Sequence, residues 1–143
     1  MEGFIAKEAI IAGHILFSQL IYDAYGLAKD VTTHPQVSRA MEQMDLGADL
    51  KVIEALVKKI GNQRGYRIPD PDDPMIICLH QVEEMIQKIK TNLEEIDQLI
   101  KVHHTKYFAS WRATGCDPLL NRLKVHKKTL DNRVNRLIQM MRV

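Results

Sequence analysis

The sequence predicts an all-α protein, a four-helix bundle in which the third helix is the longest. No segment alternates apolar and polar residues as a half-buried strand does. Four segments instead repeat apolar residues at steps of three and four, and three of them open with a proline after a polar residue. With 45% hydrophobic and 27% charged residues, residues 1–143 are expected to form a single globular domain.

The first helix is predicted from Phe4 to about Lys29, and it is apolar around nearly its whole circumference. The stretch from Ala9 to Tyr22 carries no formal charge. Such a helix is either central in a bundle or directed to another apolar medium. The uncharged stretch is shorter than the roughly 20 residues that a bilayer-spanning helix needs, so we expect a soluble protein.

The second helix is predicted to start at Pro35, with Thr33 or His34 as its N-cap, and to end near Ile60 before Gly61. Its apolar stripe shifts partway along. The first part consists of Val37, Met41, Met44 and Ala48, and the second of Leu46, Leu50, Ile53, Val57 and Ile60.

The third helix is predicted to follow the longest loop, with Asp73 as its cap and Pro74 at its first position. Its apolar residues alternate steps of four and three, which is a heptad pattern, so it should pack nearly parallel or antiparallel to its partners. The pattern consists of Met75, Leu79, Val82, Ile86, Ile89, Leu93, Ile96 and Ile100, continued by His103 and Tyr107.

The fourth helix is predicted to start at Asp117-Pro118. Its apolar residues are Leu120, Leu123, Leu130, Val134, Leu137 and Met141. Lys127 interrupts this pattern, and we expect its stem to run along the helix so that the ammonium group reaches solvent.

Charge is distributed unevenly between the two ends of the chain. Residues 1–100 contain 10 Lys and Arg against 16 Asp and Glu, whereas residues 101–143 contain 10 against 2. This asymmetry predicts either an anionic partner for the last helix or packing of that helix against acidic faces of its own neighbours. Nucleic acid is not the expected partner, because the helix lacks aromatic residues for base stacking. The candidate residues for anionic lipid or an acidic partner are Arg122, Lys124, Lys127, Lys128, Arg133 and Arg136.

No catalytic, cofactor or metal motif is recognisable, so we expect a protein that is not an enzyme and holds no cofactor. His80 and Glu83 give the reverse of the Glu-x-x-His order of di-metal bundles, and we interpret them as part of a solvated face. Cys78 is expected to be a core residue and Cys116 a loop residue, both with free thiols, which favours a reducing compartment.

One aromatic cluster, Tyr107, Phe108 and Trp111, includes Lys106 and Arg112 among its residues. This mixture is typical of a membrane interface or a partner pocket, and it would serve equally well to close one end of the bundle.

Four segments, taken in order, carry a resemblance to a known family. They are Ile11-Ala12-Gly13 with Leu16-Phe17-Ser18, Ala24 and Leu27; Met44-Asp45-Leu46 with Leu50 and Gly61; Leu79 to Ile100; and Arg122-Leu123 with Lys127-Lys128, Leu130, Val134 and Leu137. In these segments the chain resembles the HeLo domain, the N-terminal helical module of fungal heterokaryon-incompatibility and related cell-death proteins. That domain is itself similar to the bundle of the necroptotic pseudokinase.

The resemblance implies a cytoplasmic protein that becomes peripheral to a membrane when activated. It would then form a homo-oligomer and insert its first helix into an anionic bilayer, while the basic residues of the last helix attract anionic lipids. The residues expected to insert are Ile5, Ile10, Ile11, Leu16, Phe17 and Leu20.

A second interpretation comes from the unbroken apolar pattern of the third helix, which extends beyond what three neighbours would cover. It predicts a non-enzymatic adaptor or regulatory bundle that binds partner helices. The N-terminal three-helix domains of SNARE proteins or a subunit of a coiled-coil assembly would be comparable.

Overall fold

The computed structural model describes residues 17–64, 70–103 and 116–142. Within these ranges the protein is all-helical, with five α-helices and no strand. The predicted all-α class is confirmed, whereas the described helices number five rather than four. Helix α1 covers 17–30 of the described residues, a 3-10 turn covers Val31–Thr33, and the further helices are α2 (Pro35–Met44), α3 (Leu46–Arg64), α4 (Pro74–His103) and α5 (Cys116–Met141).

The predicted second helix is divided at Asp45, which separates α2 from α3. Asp45 has φ 53° and ψ 37°, the left-handed conformation, and its N–H donates to the carbonyl of Met41 at 3.0 Å. The division explains the shift in the apolar stripe, because each segment turns its own apolar residues toward the core. Helix α3 also continues to Arg64, so Gly61 lies inside it and does not follow its end.

Two of the predicted helix starts are found at the expected residues. His34 is the N-cap of α2, with extended backbone, and Pro35 follows at the first helical position. Pro74 is the first residue of α4, and the carboxylate of Asp73 accepts a hydrogen bond from the N–H of Met75 at 2.9 Å. The proline positions therefore predicted these starts correctly.

The start of α5 differs from the prediction. The helix begins at Cys116, so Asp117 lies in its first turn. The negative charge of its carboxylate interacts favourably there with the positive end of the helix dipole. The sequence predicted a loop at Cys116, but this residue is the first of α5, and it is buried. Cys78 is buried in the core as expected. Burial, followed by the charge of Asp117, raises the pKa of the Cys116 thiol to about 11.

The described helices share one apolar core. The heptad pattern of α4 is buried from Val82 to Ile100, while Met75 and Leu79 are partly buried against the same core. The largest fully buried side chains come from α2 to α5 and from the 3-10 turn: Val31, Val37, Leu46, Leu50, Ile53, Ile86, Ile89, Leu93, Ile96, Leu123, Leu130 and Leu137.

Over its described residues, α1 is amphipathic and not apolar all round. It buries Phe17, Ile21, Ala24 and Ala28, whereas Tyr22 is 73% exposed. The exposed positions of 17–30 also include the polar residues Gln19, Lys29 and Asp30, and the rest of the segment predicted to be apolar around nearly its whole circumference lies outside the described residues.

Polar contacts hold α5 against α4 at two places. Asn92 donates from Nδ2 to the carbonyl of Leu119 at 3.0 Å, and Asn92 is almost fully buried. Further along, Arg133 donates from Nη1 to the carbonyl of Gln81 at 2.8 Å. Because both acceptors are backbone carbonyls, these contacts fix the relative position of the two helices as well as joining them.

Candidate interaction surfaces

The described residues contain no group of three or more His, Cys, Asp or Glu side chains that would hold a metal ion. His80 is exposed and lies 3.7 Å from Glu83 across one turn of α4, which places this pair on a solvated face. The concave features of the described surface are open grooves between helices. These grooves and the exposed charged faces are therefore the candidate sites for binding a partner.

Lys127 does not extend into solvent as predicted. The residue is only 8% exposed, and its ammonium group forms ion pairs with Asp49 of α3 and with Asp131 one turn further along α5, at 2.9 Å in the second case. Burial lowers its pKa, but the hydrogen bonds and charges of Asp131 and Asp49 outweigh burial and raise the pKa overall. Lys127 is therefore a charged link between α3 and α5.

The three candidate arginines of α5 also have partners within the protein. Arg122 pairs with Glu95 at 3.4 Å, and Arg133 pairs with Glu84 at 3.7 Å in addition to its bond to Gln81. Arg136 donates to the side-chain oxygen of the same glutamine at 3.1 Å. These contacts match the interpretation in which the basic helix packs against acidic faces of its own neighbours.

Lys124 and Lys128 differ from the other four candidates. Both are exposed, and neither forms an ion pair with another residue in the part of the chain that the structure describes. They are four residues apart and so lie on one face of α5, beside Val125, which is 63% exposed. Arg122 and Arg136 are exposed as well, but each has a partner in the protein, so of the predicted basic set these two lysines are the exposed cations with no such partner among the described residues.

The residues predicted to insert into a membrane are only partly described. Phe17 is 3% exposed in the core, and Leu20 is partly buried against it. Ile5, Ile10, Ile11 and Leu16 lie outside the described residues, as does the aromatic cluster of Tyr107, Phe108 and Trp111. None of the helices in the described ranges combines the length and apolar character that crossing a membrane requires.

One groove lies between α4 and the start of α5, with a volume of about 660 Å³. We call it the α4–α5 groove. Its apolar lining is supplied by three side chains, among them Val102, which is 49% exposed. Its full lining is Thr91, Glu94, Glu95, Asp97, Gln98, Leu99, Val102 and Leu119.

A second groove, of about 460 Å³, lies where α2 and α3 meet α5. We call it the α3–α5 groove. Its lining combines aliphatic side chains with three carboxylates and one lysine: Met44, Asp45, Asp49, Val52, Ile53, Lys127, Asp131, Val134, Asn135 and Ile138. Asp45 was noted from the sequence only within a segment that carries the family resemblance, and neither Asp45 nor Asp49 was predicted to be a site residue. The shift of the apolar stripe near Met44 was the signal that could have pointed to this region.

A smaller pocket of about 210 Å³ is lined by Lys88, Arg122 and His126, together with Glu95 and other residues of α4. Burial, Lys88 and Arg122 all lower the pKa of His126, so its imidazole favours the neutral form. The two neighbouring cations are already paired, Lys88 with Glu84 at 3.3 Å and Arg122 with Glu95. The pocket is therefore close to charge balance.

Comparison of the chain with protein-family models, with curated proteins and with solved structures gives no match in any of the three.

Proposed function

We propose that this chain is a non-enzymatic bundle whose surface grooves bind a helix of a partner protein. In this proposal α2 and α3 act together as one bent helix, so that the domain functions as a four-helix bundle with α4 as its long third helix. The observation that carries the proposal is that α5 is flanked by two open grooves, each combining aliphatic side chains with carboxylates.

Grooves of this kind suit an amphipathic helix, which lays its apolar face into the groove while charged residues contact the rim. Carboxylates on both rims favour a partner helix that carries Lys or Arg beside its apolar stripe. Three of the six Lys and Arg residues of α5 form ion pairs within the protein, which reduces the positive charge available to recruit an acidic partner and supports the same choice.

Two designed amphipathic peptides of about 18 residues, or five helical turns, test this function. Both have the same apolar stripe, and they differ in carrying Lys or Glu beside it. Fluorescence anisotropy with the full chain should show at least about tenfold tighter binding of the Lys peptide, with affinity falling as salt is added. Circular dichroism should show the peptide gaining helicity on binding.

The proposal fails if neither peptide binds while circular dichroism shows the chain to be folded. It also fails if the Glu peptide binds as tightly as the Lys peptide, since the carboxylates would then have no role in recognition.

A membrane-active bundle of the HeLo kind is the second candidate function. In this alternative the chain oligomerises on an anionic bilayer and inserts its first helix. It is supported by the exposed pair Lys124 and Lys128 on α5 and by the uncharged stretch from Ala9 to Tyr22. Each lysine near an anionic surface contributes about 1 kcal/mol of attraction.

Dye release from liposomes with and without anionic lipid tests the second candidate. Leakage should require anionic lipid, rise steeply with protein concentration and fall with salt. Changing Lys124 and Lys128 to Gln should weaken lipid binding by about tenfold or more. The matched control changes the exposed Lys58 and Lys59 of α3 to Gln, which removes the same charge from another helix. Equal effects of the two double variants, or no leakage at all, would exclude this mechanism.

A further inference from the structure

We infer that the α3–α5 groove is the docking site for the partner helix, and that this helix presents Lys or Arg to Asp45, Asp49 and Asp131. The inference rests on the proposed function and adds to it the location of the site and the charge of the partner.

The apolar part of the α3–α5 groove has the dimensions of a helix-binding site. Its α2–α3 wall spans residues 44–53 and its α5 wall spans residues 127–138, lengths of about 13 Å and 16 Å of helix respectively. Such walls accommodate two to three turns of a bound helix. Apolar anchor residues at i, i+3 or i+4, and i+7 span about two turns and would therefore fit between them. Val52 is 52% exposed at this site, although it is a large aliphatic residue.

The charges in the groove do not cancel. Asp49 and Asp131 share the single ammonium group of Lys127, and Asp45 forms no ion pair with any residue of the described ranges. Three carboxylates against one lysine leave an excess of two negative charges beside the aliphatic lining. A cationic side chain from a partner would compensate this excess, whereas an acidic partner would be repelled.

The helix break places one of these carboxylates at the groove. Asp45 occupies the left-handed position between α2 and α3, so its side chain is exposed at the junction of the two helices. A continuous helix would have carried the stripe of α2 directly into α3. The break thus creates the junction where α2, α3 and α5 meet.

The α4–α5 groove is less suited to a basic helix, because each of its three carboxylates forms an ion pair, although Glu94 shares Lys90 with Asp23 of α1. The pairs are Glu94 with Lys90 at 3.9 Å, Glu95 with Arg122 at 3.4 Å and Asp97 with Lys101 at 2.8 Å. The α3–α5 groove therefore differs in holding a carboxylate, that of Asp45, with no ion pair among the described residues.

The test uses the Lys peptide and the full chain with single substitutions. Val52→Lys replaces an apolar contact of the groove lining with a positive charge that repels the Lys peptide, so it should weaken peptide binding by about tenfold or more. Asp45→Asn removes a carboxylate but suits the left-handed backbone, and it should weaken binding by a few-fold and flatten the salt dependence. Val125→Lys is the matched control, because Val125 is also exposed, at 63% against 52% for Val52, but lies outside the groove, and the affinity of this variant should equal that of the wild type.

Amide chemical-shift mapping with the same peptide gives an independent result. Shifts should concentrate in residues 44–53 and 131–138. Wild-type affinity in the Val52→Lys variant, with shifts elsewhere, would overturn the assigned site but leave the proposed function standing. Failure of the Lys peptide to bind the wild-type chain would instead overturn the proposed function.

Light scattering of the chain alone separates a partner helix from a second copy. A monomer at concentrations where the peptide binds supports the inference. Self-association that Val52→Lys abolishes and Val125→Lys preserves would overturn it, because the occupant of the groove would then be another copy of this chain.

Discussion

Asp45 is the residue at which the local backbone departs most from a regular helix. A left-handed conformation costs most L-residues about 1–2 kcal/mol, whereas Gly adopts it freely and Asn or Asp tolerate it. The residue type at this position therefore permits the break, and the apolar residues on either side determine which way α2 and α3 face.

We expect Asp45→Val to destabilise the fold by about 1–2 kcal/mol, because a β-branched side chain is strained at positive φ. Asp45→Gly should keep the stability within about 0.5 kcal/mol of the wild type, since the backbone strain it relieves offsets the added freedom of the unfolded chain. Urea unfolding measures both. A Val variant as stable as the Gly variant would show that position 45 is not left-handed in solution.

Lys127 is the second residue whose environment differs from the one that the sequence predicted. We expect Lys127→Met to destabilise the fold by about 1–2 kcal/mol at pH 7, because Asp49 and Asp131 lose their shared cation but remain partly solvated. Lys127→Ala should cost more, since the buried stem is lost as well.

The difference in unfolding free energy between the wild type and Lys127→Met should depend on pH. The folded-state pKa of Lys127 is raised above its ordinary value of 10.5, so its stabilising contribution is complete below pH 10.5 and is lost as the pH rises through the folded-state pKa. The gap in unfolding free energy between wild type and Lys127→Met should shrink above pH 10.5. A gap that stays constant to pH 12 would contradict the ion-pair assignment.

At the scale of the helices, periodicity predicted α4 well, and its apolar residues from Val82 to Ile100 are buried as expected. The heptad pattern of that helix has no competing register, so local spacing determines its buried face. The shift of the apolar stripe near Met44 did not determine whether the predicted second helix is bent or divided into two, because either arrangement produces such a shift. Only the packing of α2 and α3 against α5 distinguishes them, and packing depends on residues far away in sequence.

Glycines inside helices provide a test at the same scale. Gly26 lies in α1, and a Cβ atom there would meet nothing within 4 Å, so Gly26→Ala should stabilise the fold by about 1 kcal/mol. At Gly47 of α3 a Cβ atom would lie 3.4 Å from the ring of Tyr25, so Gly47→Ala should give a smaller gain. Thermal or urea unfolding measures both, and a destabilised Gly26→Ala variant would show that α1 is not packed as described.

At the scale of the whole molecule, ion pairs between helices offset part of the charge asymmetry of the sequence. Arg122 and Arg133 of α5 pair with glutamates of α4, and Lys127 pairs with α3. The sequence predicted this outcome as one of two alternatives, but it did not identify the pairs. The grooves beside α5 were not predictable, because each is formed by residues from helices that are distant in sequence.

The two candidate functions make opposite demands on the bundle. Binding a partner helix in the α3–α5 groove leaves α1 packed, whereas membrane insertion requires α1 to leave the core that Phe17, Ile21 and Ala24 help to form. Amide hydrogen exchange reports this difference directly, because exchange of buried amides requires local opening.

The most direct measurement is therefore hydrogen exchange of the full chain alone, with the Lys peptide and with anionic liposomes. The account predicts that 17–30 stays protected in all three samples and that the peptide adds protection in residues 44–53 and 131–138. Loss of protection in 17–30 on addition of liposomes, with no protection by the peptide, would contradict the partner-binding function and favour insertion of the first helix.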